Sequence, residues 1–305
     1  MKLETKDLLT VDEISSKEFL ELIDFSIELK EGNKTGSGKM EPFLENKTLA
    51  MLFEKPSTRT RVSFETGMKQ LGGHTIILSL SEMQHSRGEL VKDTAKTLSG
   101  YVDAIMARVY EHNFIEDLAK YATVPVINGL SNSYHPCQTL ADFMTIKEHK
   151  KKFKDLKIAW IGDGNNVCNS LIFGCSKTQT EIAIATPKGF EPNPDVVKKS
   201  SKNTTVDLTT DPESAVKDAD IVMTDTFTSI HTSDPKRTEK FLPSFQVNDP
   251  LMEKAKNDAI FMHCLPAKRE QEVTSSVIDG PQSVVWNQAE NRLHSQKALL
   301  LSLGI

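Results

Sequence analysis

Short apolar runs alternate with helix-patterned segments along almost the whole of this chain, and that alternation leaves few folds open. Residues 48–53, 74–79, 103–107, 124–127, 157–161, 181–185, 205–208, 221–224, 259–263 and 283–286 read as strands. Residues 15–30, 58–71, 89–101, 113–121, 138–149, 166–177, 195–200 and 288–303 read as helices. Strands separated by helices of this length pair in parallel, because the helix is the crossover that returns the chain to the sheet. The expected fold class is α/β, with two domains, each a central parallel sheet flanked by helices. A length of 305 residues fits two domains as well. The lysine-rich stretch 147–154 marks the boundary, giving domains 1–147 and 148–287 and a terminal helix within 288–305.

A net charge of −5 argues against a general nucleic-acid binder. The opening MKLETKDLLT has no apolar segment of the kind a secretory or transit peptide needs. Apolar runs stay well short of a membrane span. Cys137, Cys168, Cys175 and Cys264 are scattered, with no C-x-x-C pair, as expected of a reducing compartment; the cytoplasm is the expected location. The segment Thr35-Gly36-Ser37-Gly38-Lys39 suggests a phosphate loop, but Asn33 stands where the first glycine belongs and Met40 where a magnesium-holding hydroxyl belongs. A solvated loop is expected.

The stretch Glu54-Lys55-Pro56-Ser57-Thr58-Arg59-Thr60-Arg61 joins a strand to a helix. Ser57 is a good N-cap, and the amides of Thr58, Arg59 and Thr60 open a helix without partners of their own. Free amides, hydroxyls and a guanidinium make a phosphate-sized anion site; a capped surface helix is the plainer alternative. The two arginines lie about 200° apart around the helix. Arg61 shares a face with Phe64 and Met68 and pairs with Glu65, leaving Arg59 for the ligand. Arg59, Arg108, His135, Asn166, Asp225 and Cys264 each follow an apolar run, where ligands of parallel sheets sit, and together they suggest a cleft between the domains.

Four motifs occur in order: Pro56-Ser57-Thr58-Arg59-Thr60-Arg61, His135-Pro136-Cys137-Gln138, His263-Cys264-Leu265-Pro266 and Ala289-Glu290-Asn291-Arg292. With them the chain resembles the aspartate/ornithine transcarbamoylase family from about Ser15 to Leu303, and the His-Cys-Leu-Pro motif narrows the resemblance to its ornithine branch. The resemblance implies transfer of the carbamoyl group of carbamoyl phosphate to the δ-amine of L-ornithine, giving L-citrulline and phosphate, as in arginine biosynthesis. It implies a first domain for carbamoyl phosphate, a second for the amino acid, and a terminal helix packed back on the first. It also implies a homotrimer or a multiple of trimers with shared sites, and neither metal nor organic cofactor.

Residue by residue, the resemblance gives Ser57, Thr58, Arg59 and Thr60 the phosphate. It places Arg108, His135, Pro136, Cys137, Gln138, Cys264, Leu265 and Arg292 at the carbamoyl end, and has Gln84 reach into a neighbouring subunit. Asn166, Asp225, Ser229, Ile230 and Cys264 take ornithine, and Arg59, Arg108, His135, Asp225 and Cys264 form the catalytic set. A covalent cysteine mechanism is disfavoured, since strand alternation points His263 away from Cys264. Ser229-Ile230-His231 departs from the branch's usual Ser-Met-Gly, and residues 232–246 look like a polar closing lid, so a putrescine-using relative is the alternative within the family. Two other classes compete. Ile161-Gly162-Asp163-Gly164 suggests a dinucleotide site but lacks the third glycine, position 167 being Val. A non-catalytic paralogue would not need the intact Arg59, Arg108, His135, Cys264 and Arg292.

Overall fold

The computed structural model describes residues 1–34, 42–228, 234 and 236–305. The glycine-containing stretch 35–39 and residues Ser229, Ile230 and His231 lie outside the described residues. Two compact units emerge, residues 1–144 with 290–305, and residues 145–289.

The first unit holds strands β1 (Thr48–Phe53), β2 (His74–Ser79), β3 (Ala104–Arg108) and β4 (Val126–Leu130), all parallel, in the order β2-β1-β3-β4. Its helices are α1 (Ser16–Lys34), α2 (Thr58–Gln70), α3 (Val91–Ser99), α4 (His112–Tyr121) and the start of α5 (Pro136–Lys150). A parallel sheet is covered on both faces, so its central strands are apolar without alternation. Leu49, Ala50, Met51 and Leu52 of β1 are accordingly all buried. Each large apolar side chain so buried contributes about 1.5–3 kcal/mol. The edge strand β2 is only half buried and leaves Ile76 exposed.

The second unit holds β5 (Lys157–Ile161), β6 (Glu181–Ala185), β7 (Val206–Thr209), β8 (Ile221–Thr224) and β9 (Ile260–His263), parallel, in the order β7-β6-β5-β8-β9. Around them run α6 (Asn166–Thr178), α7 (Pro194–Ser200), α8 (Pro212–Val216), α9 (Asp249–Met252), α10 (Ser275–Ile278) and the first residues of α11 (Val285–Ser302). Four of these helices begin as their sequence dictates. The side chains of Asn165, Asn193, Asp211 and Asn248 accept from the opening amides of α6, α7, α8 and α9. Within α11, residues 290–302 lie among elements of the first unit. Lys297 Nζ donates to Gln70 Oε1 at 2.9 Å, Lys30 Nζ donates to Asn291 Oδ1 at 2.6 Å, and Leu3 N–H donates to Ser302 O at 2.8 Å.

Both sheets wind outward from an internal pair, β1/β3 in one and β5/β8 in the other. Such reversal points place two post-strand loops side by side.

The strand expected at 283–286 does not form. Ser283 makes one bridge to Phe261 and Val285 already begins α11, so the β-branched pair Val284-Val285 is split between a strand-end contact and a helix start. The strand expected at 124–127 lies further on, because Asn128, Gly129 and Leu130 complete β4. Ser57 occupies the N-cap position of α2, but its side chain makes no capping bond. Arg61 does pair with Glu65, at 3.6 Å, and is itself exposed, whereas Phe64 and Met68 are buried.

Candidate active site

In the first unit the site grows from the β1/β3 reversal. The first helical bond of α2 runs from Arg61 N–H to Ser57 O, so the amides of Thr58, Arg59 and Thr60 have no helical acceptor. With Ser57 not capping, these donors remain on offer to an anion. Thr58 is exposed and Arg59 half-buried, while Thr60 is buried. Arg108, the last residue of β3, donates from Nη1 to Thr60 Oγ1 at 3.1 Å. Arg292 of α11 approaches the same oxygen at 3.5 Å and donates to Gln138 Oε1 at 2.8 Å. Two guanidinium groups thus converge on one hydroxyl at an open helix start. Gln138 is itself held by Asp142, Nε2 to Oδ1 at 2.8 Å, and the Gln296 amide oxygen accepts from Arg292 Nε and Nη2 at 3.1 and 2.9 Å. Glu290, two residues before Arg292, pairs with Lys30 and His294.

His135 precedes α5, with its carbonyl accepting from Gln138 N–H, and Pro136 opens the helix where no amide is required. Burial pushes the His135 pKa well below the ordinary histidine range, and the positive charges of Arg292 and Arg108 push it further. It is therefore a neutral donor at physiological pH. Cys137 is fully buried, its thiol donates to Asn128 O at 3.4 Å, and burial raises its pKa to about 11. Its side chain is a structural thiol. Gln84 lies apart from this group, exposed in the short 3-10 turn Gln84–Arg87.

In the second unit the β5/β8 reversal sets Asp225, immediately after β8, beside the loop after β5. Asp225 is buried, and Oδ2 accepts from Asn165 Nδ2 at 2.7 Å. Oδ1 accepts from Thr226 N–H at 2.7 Å and from the Cys264 thiol at 3.1 Å. Cys264 follows β9 and is half-buried. Sequence reasoning picked Asn166 here; it is buried in the first turn of α6, whereas its neighbour Asn165 both caps α6 and holds the carboxylate. Leu265 stands at φ 58°, and its peptide to Pro266 is cis.

Strand alternation fails at His263. The strand ends there, the chain turns back, and Leu265 N–H donates to His263 Nδ1 at 2.9 Å. Ligand-type atoms of Asp225, His263 and Cys264 therefore lie within 4.8 Å of one another. Such a trio has the donor types of a metal site, but both ring nitrogens of His263 are taken, Nε2 facing Glu272 Oε1 at 3.2 Å. The ring has no lone pair left for a cation, nor for drawing a proton from the thiol.

Sequence reasoning also missed Asp163 and Arg237. Arg237 pairs with Asp163, donates from Nε to Phe227 O at 2.8 Å, and stacks over Phe190 at 4.6 Å. Burial raises the Asp163 pKa to about 6 against the lowering pull of Arg237. Phe241 stacks on Phe227 at 4.4 Å and both are fully buried, so the later part of the expected polar lid is core. The two glycines of the Gly162-Asp163-Gly164 turn have local causes. Gly162 sits at φ +124° with Phe227 Cε1 2.9 Å from where a Cβ would stand, and a Cβ on Gly164 would lie 2.2 Å from Pro192 N. Close backbone approach, rather than a dinucleotide, explains them.

An anion-ready helix start flanked by guanidinium groups, and a buried carboxylate joined to a thiol, are the parts of a group-transfer enzyme. Residues 6–148 match the family model described as the carbamoyl-P binding domain of aspartate/ornithine carbamoyltransferase, and residues 154–303 match its Asp/Orn binding domain. The chain is 61% identical over 305 residues, covering all of both chains, to a Cenarchaeum symbiosum protein named ornithine carbamoyltransferase. It is 52% identical to the Bacillus subtilis protein of that name, with 98% of this chain and 93% of that one covered. The solved structure of ornithine carbamoyltransferase from Pyrococcus furiosus is similar with a TM-score of 0.93 and 51% identity, over 98% of this chain and 97% of that one. The chain belongs to the aspartate/ornithine carbamoyltransferase family.

Proposed function

We propose that this chain transfers the carbamoyl group of carbamoyl phosphate to the δ-amine of L-ornithine, giving L-citrulline and phosphate. The observation that carries it is the convergence of Arg108 and Arg292 on Thr60 at the uncapped start of α2. Carbamoyl phosphate needs its leaving phosphate held and its carbonyl polarised. Ser57, Thr58, Arg59 and Thr60 hold the phosphate through amides, hydroxyls and one guanidinium. Arg108, neutral His135, Gln138 and Arg292 face the carbamoyl end, with the Pro136-Cys137 backbone beside them. There, preorganised donors stabilise the tetrahedral oxyanion. The attacking amine must be neutral, although it is an ammonium in water at pH 7. Asp225, Cys264 and the Leu265 carbonyl accept from it or surround it as it deprotonates. Asn165, Asn166, Ser229 and Ile230 take the amino-acid end.

Ornithine, rather than aspartate or putrescine, is favoured by the His-Cys-Leu-Pro motif and by the name shared by the relatives and solved structures above. A cytoplasmic location goes with the scattered free cysteines. Among the described residues no helix is long and apolar enough to cross a membrane. The assembly is a homotrimer or a multiple of trimers, in which the exposed Gln84 of one subunit completes a neighbour's carbamoyl-phosphate site.

The test is a citrulline colour assay with carbamoyl phosphate against ornithine, putrescine, lysine and aspartate. Ornithine is the substrate expected to turn over. Arg59→Ala abolishes turnover with an unchanged circular dichroism spectrum, whereas Asp225→Asn raises KM for ornithine well above any change for carbamoyl phosphate. An Arg59→Ala enzyme with wild-type kcat/KM for carbamoyl phosphate would remove the phosphate assignment.

A further inference from the structure

Between the end of β9 and Pro266 the chain makes a turn that a bulky L-residue adopts only rarely. Leu265 stands at φ 58°, in the left-handed region where a branched side chain is strained. A hydrogen bond fixes it there. Leu265 N–H donates to His263 Nδ1 at 2.9 Å. A ring nitrogen that accepts carries no proton, so the proton of a neutral His263 is on Nε2. That nitrogen faces Glu272 Oε1 at 3.2 Å, and the same oxygen accepts from Lys268 N–H at 2.5 Å. His263 and Glu272 are both at 0% exposure, and the His263 backbone N–H is fixed by Gln288 Oε1 at 2.9 Å.

We propose that Glu272 and His263 are positioning residues for the amine-holding segment: Glu272 selects the His263 tautomer, and that tautomer pins the Cys264–Leu265 peptide through Leu265 N–H. The other ring tautomer would put a proton on Nδ1 and set it against the Leu265 amide, two donors with no acceptor between them. A buried carboxylate and imidazole are a poor device for stability alone, since apolar residues of similar volume fill a core at least as well. What only this pair supplies is the choice of tautomer. The consequence falls on Cys264 and Leu265 together, whose thiol and carbonyl would otherwise wander from the amine. This inference rests on the reading of that pair as the amine site.

Two substitutions break the relay and two preserve it. Glu272→Leu removes the acceptor that selects the tautomer, and His263→Leu removes the acceptor for Leu265 N–H. Glu272→Gln keeps an oxygen able to accept from both Nε2–H and Lys268 N–H. His263→Asn keeps an oxygen near the place of Nδ1. The leucine variants are expected to raise KM for ornithine about tenfold or more, with KM for carbamoyl phosphate changing by less than about twofold. The Gln and Asn variants stay within about threefold of wild type.

Imidazole ¹⁵N shifts of the neutral ring, measured without substrate, are expected to show His263 protonated on Nε2 and bare on Nδ1, in wild type and in Glu272→Gln alike. A proton on Nδ1, Gln and Asn variants as impaired as the leucine ones, or equal changes in both KM values would each overturn the proposal. If a leucine variant fails to fold, the ¹⁵N measurement and the conservative pair still decide it. A wild-type enzyme inactive on ornithine but carrying the Nε2 proton would instead count against the substrate reading.

Discussion

At the scale of single residues, hydrogen-bond direction does most to fix the chemistry. The Cys264 thiol donates to Asp225 Oδ1 at 3.1 Å, and a donating thiol is a protonated one. Its neighbour His263 is occupied on both ring nitrogens and has no capacity to activate it. Cys264 therefore acts by orienting and accepting, not by covalent attack. Cys264→Ser, whose hydroxyl can still donate to Asp225, is expected to retain turnover, reduced by about 10- to 100-fold, which is the worth of one or two weakened polar contacts. A covalent intermediate would make that substitution far more damaging; steady-state kcat and mass spectrometry of the enzyme during turnover distinguish the two. Arg237 belongs to this scale too. It ties Asp163, after β5, to the Phe227 carbonyl, after β8, and so braces the two loops between which Asp225 is held.

At the scale of elements, α11 is the unusual one, because it buries charge. Lys297 is fully buried, and its Cγ lies 3.2 Å from where a Cβ on Gly67 would stand, which accounts for a glycine in the middle of α2. Burial lowers the Lys297 pKa from 10.5 to about 8. The unfolded chain holds this proton more tightly than the fold does, so the cost is full below about pH 8 and is relieved as pH rises towards 10.5. The shift corresponds to about 3 kcal/mol. Lys297→Met, close in length and uncharged, is expected to melt at a higher temperature than wild type at pH 7, with the gap closing by pH 10.5. Equal melting temperatures at pH 7 would show that the buried ammonium is fully compensated. Arg292 stands on the same helix, which makes α11 both a buried packing element and the carrier of a guanidinium for the anion site.

At the scale of the whole molecule, a single chain leaves β2 half bare and Gln84 exposed beside it in sequence, as expected if this edge meets another subunit. Light scattering is expected to give about three times the 34.0 kDa chain mass, or a multiple of that. Mixing two inactive variants, Gln84→Ala and Arg59→Ala, and reassembling them should recover part of the activity, since some sites would then draw both intact residues from different chains. A monomer by mass, or no recovery after reassembly, would rule out shared sites. The sequence by itself determined the alternation of strands and helices and the parallel pairing that follows from it, and it singled out Arg59, Arg108, His135, Asp225 and Cys264 as candidates, because these rest on period, length and motif, all local properties. It misjudged residues 283–286, where β-branched propensity yielded to a helix start, and it put His263 on the wrong side of Cys264 by extending strand alternation past the strand's last residue. Only the tertiary structure set Asn165 against Asp225 and joined Arg292 to Thr60 across 232 positions. It likewise brought Glu272, His263 and Arg237 to their partners. Those pairings are decided by which loops the sheet order sets side by side, and strand order leaves no local trace in the chain.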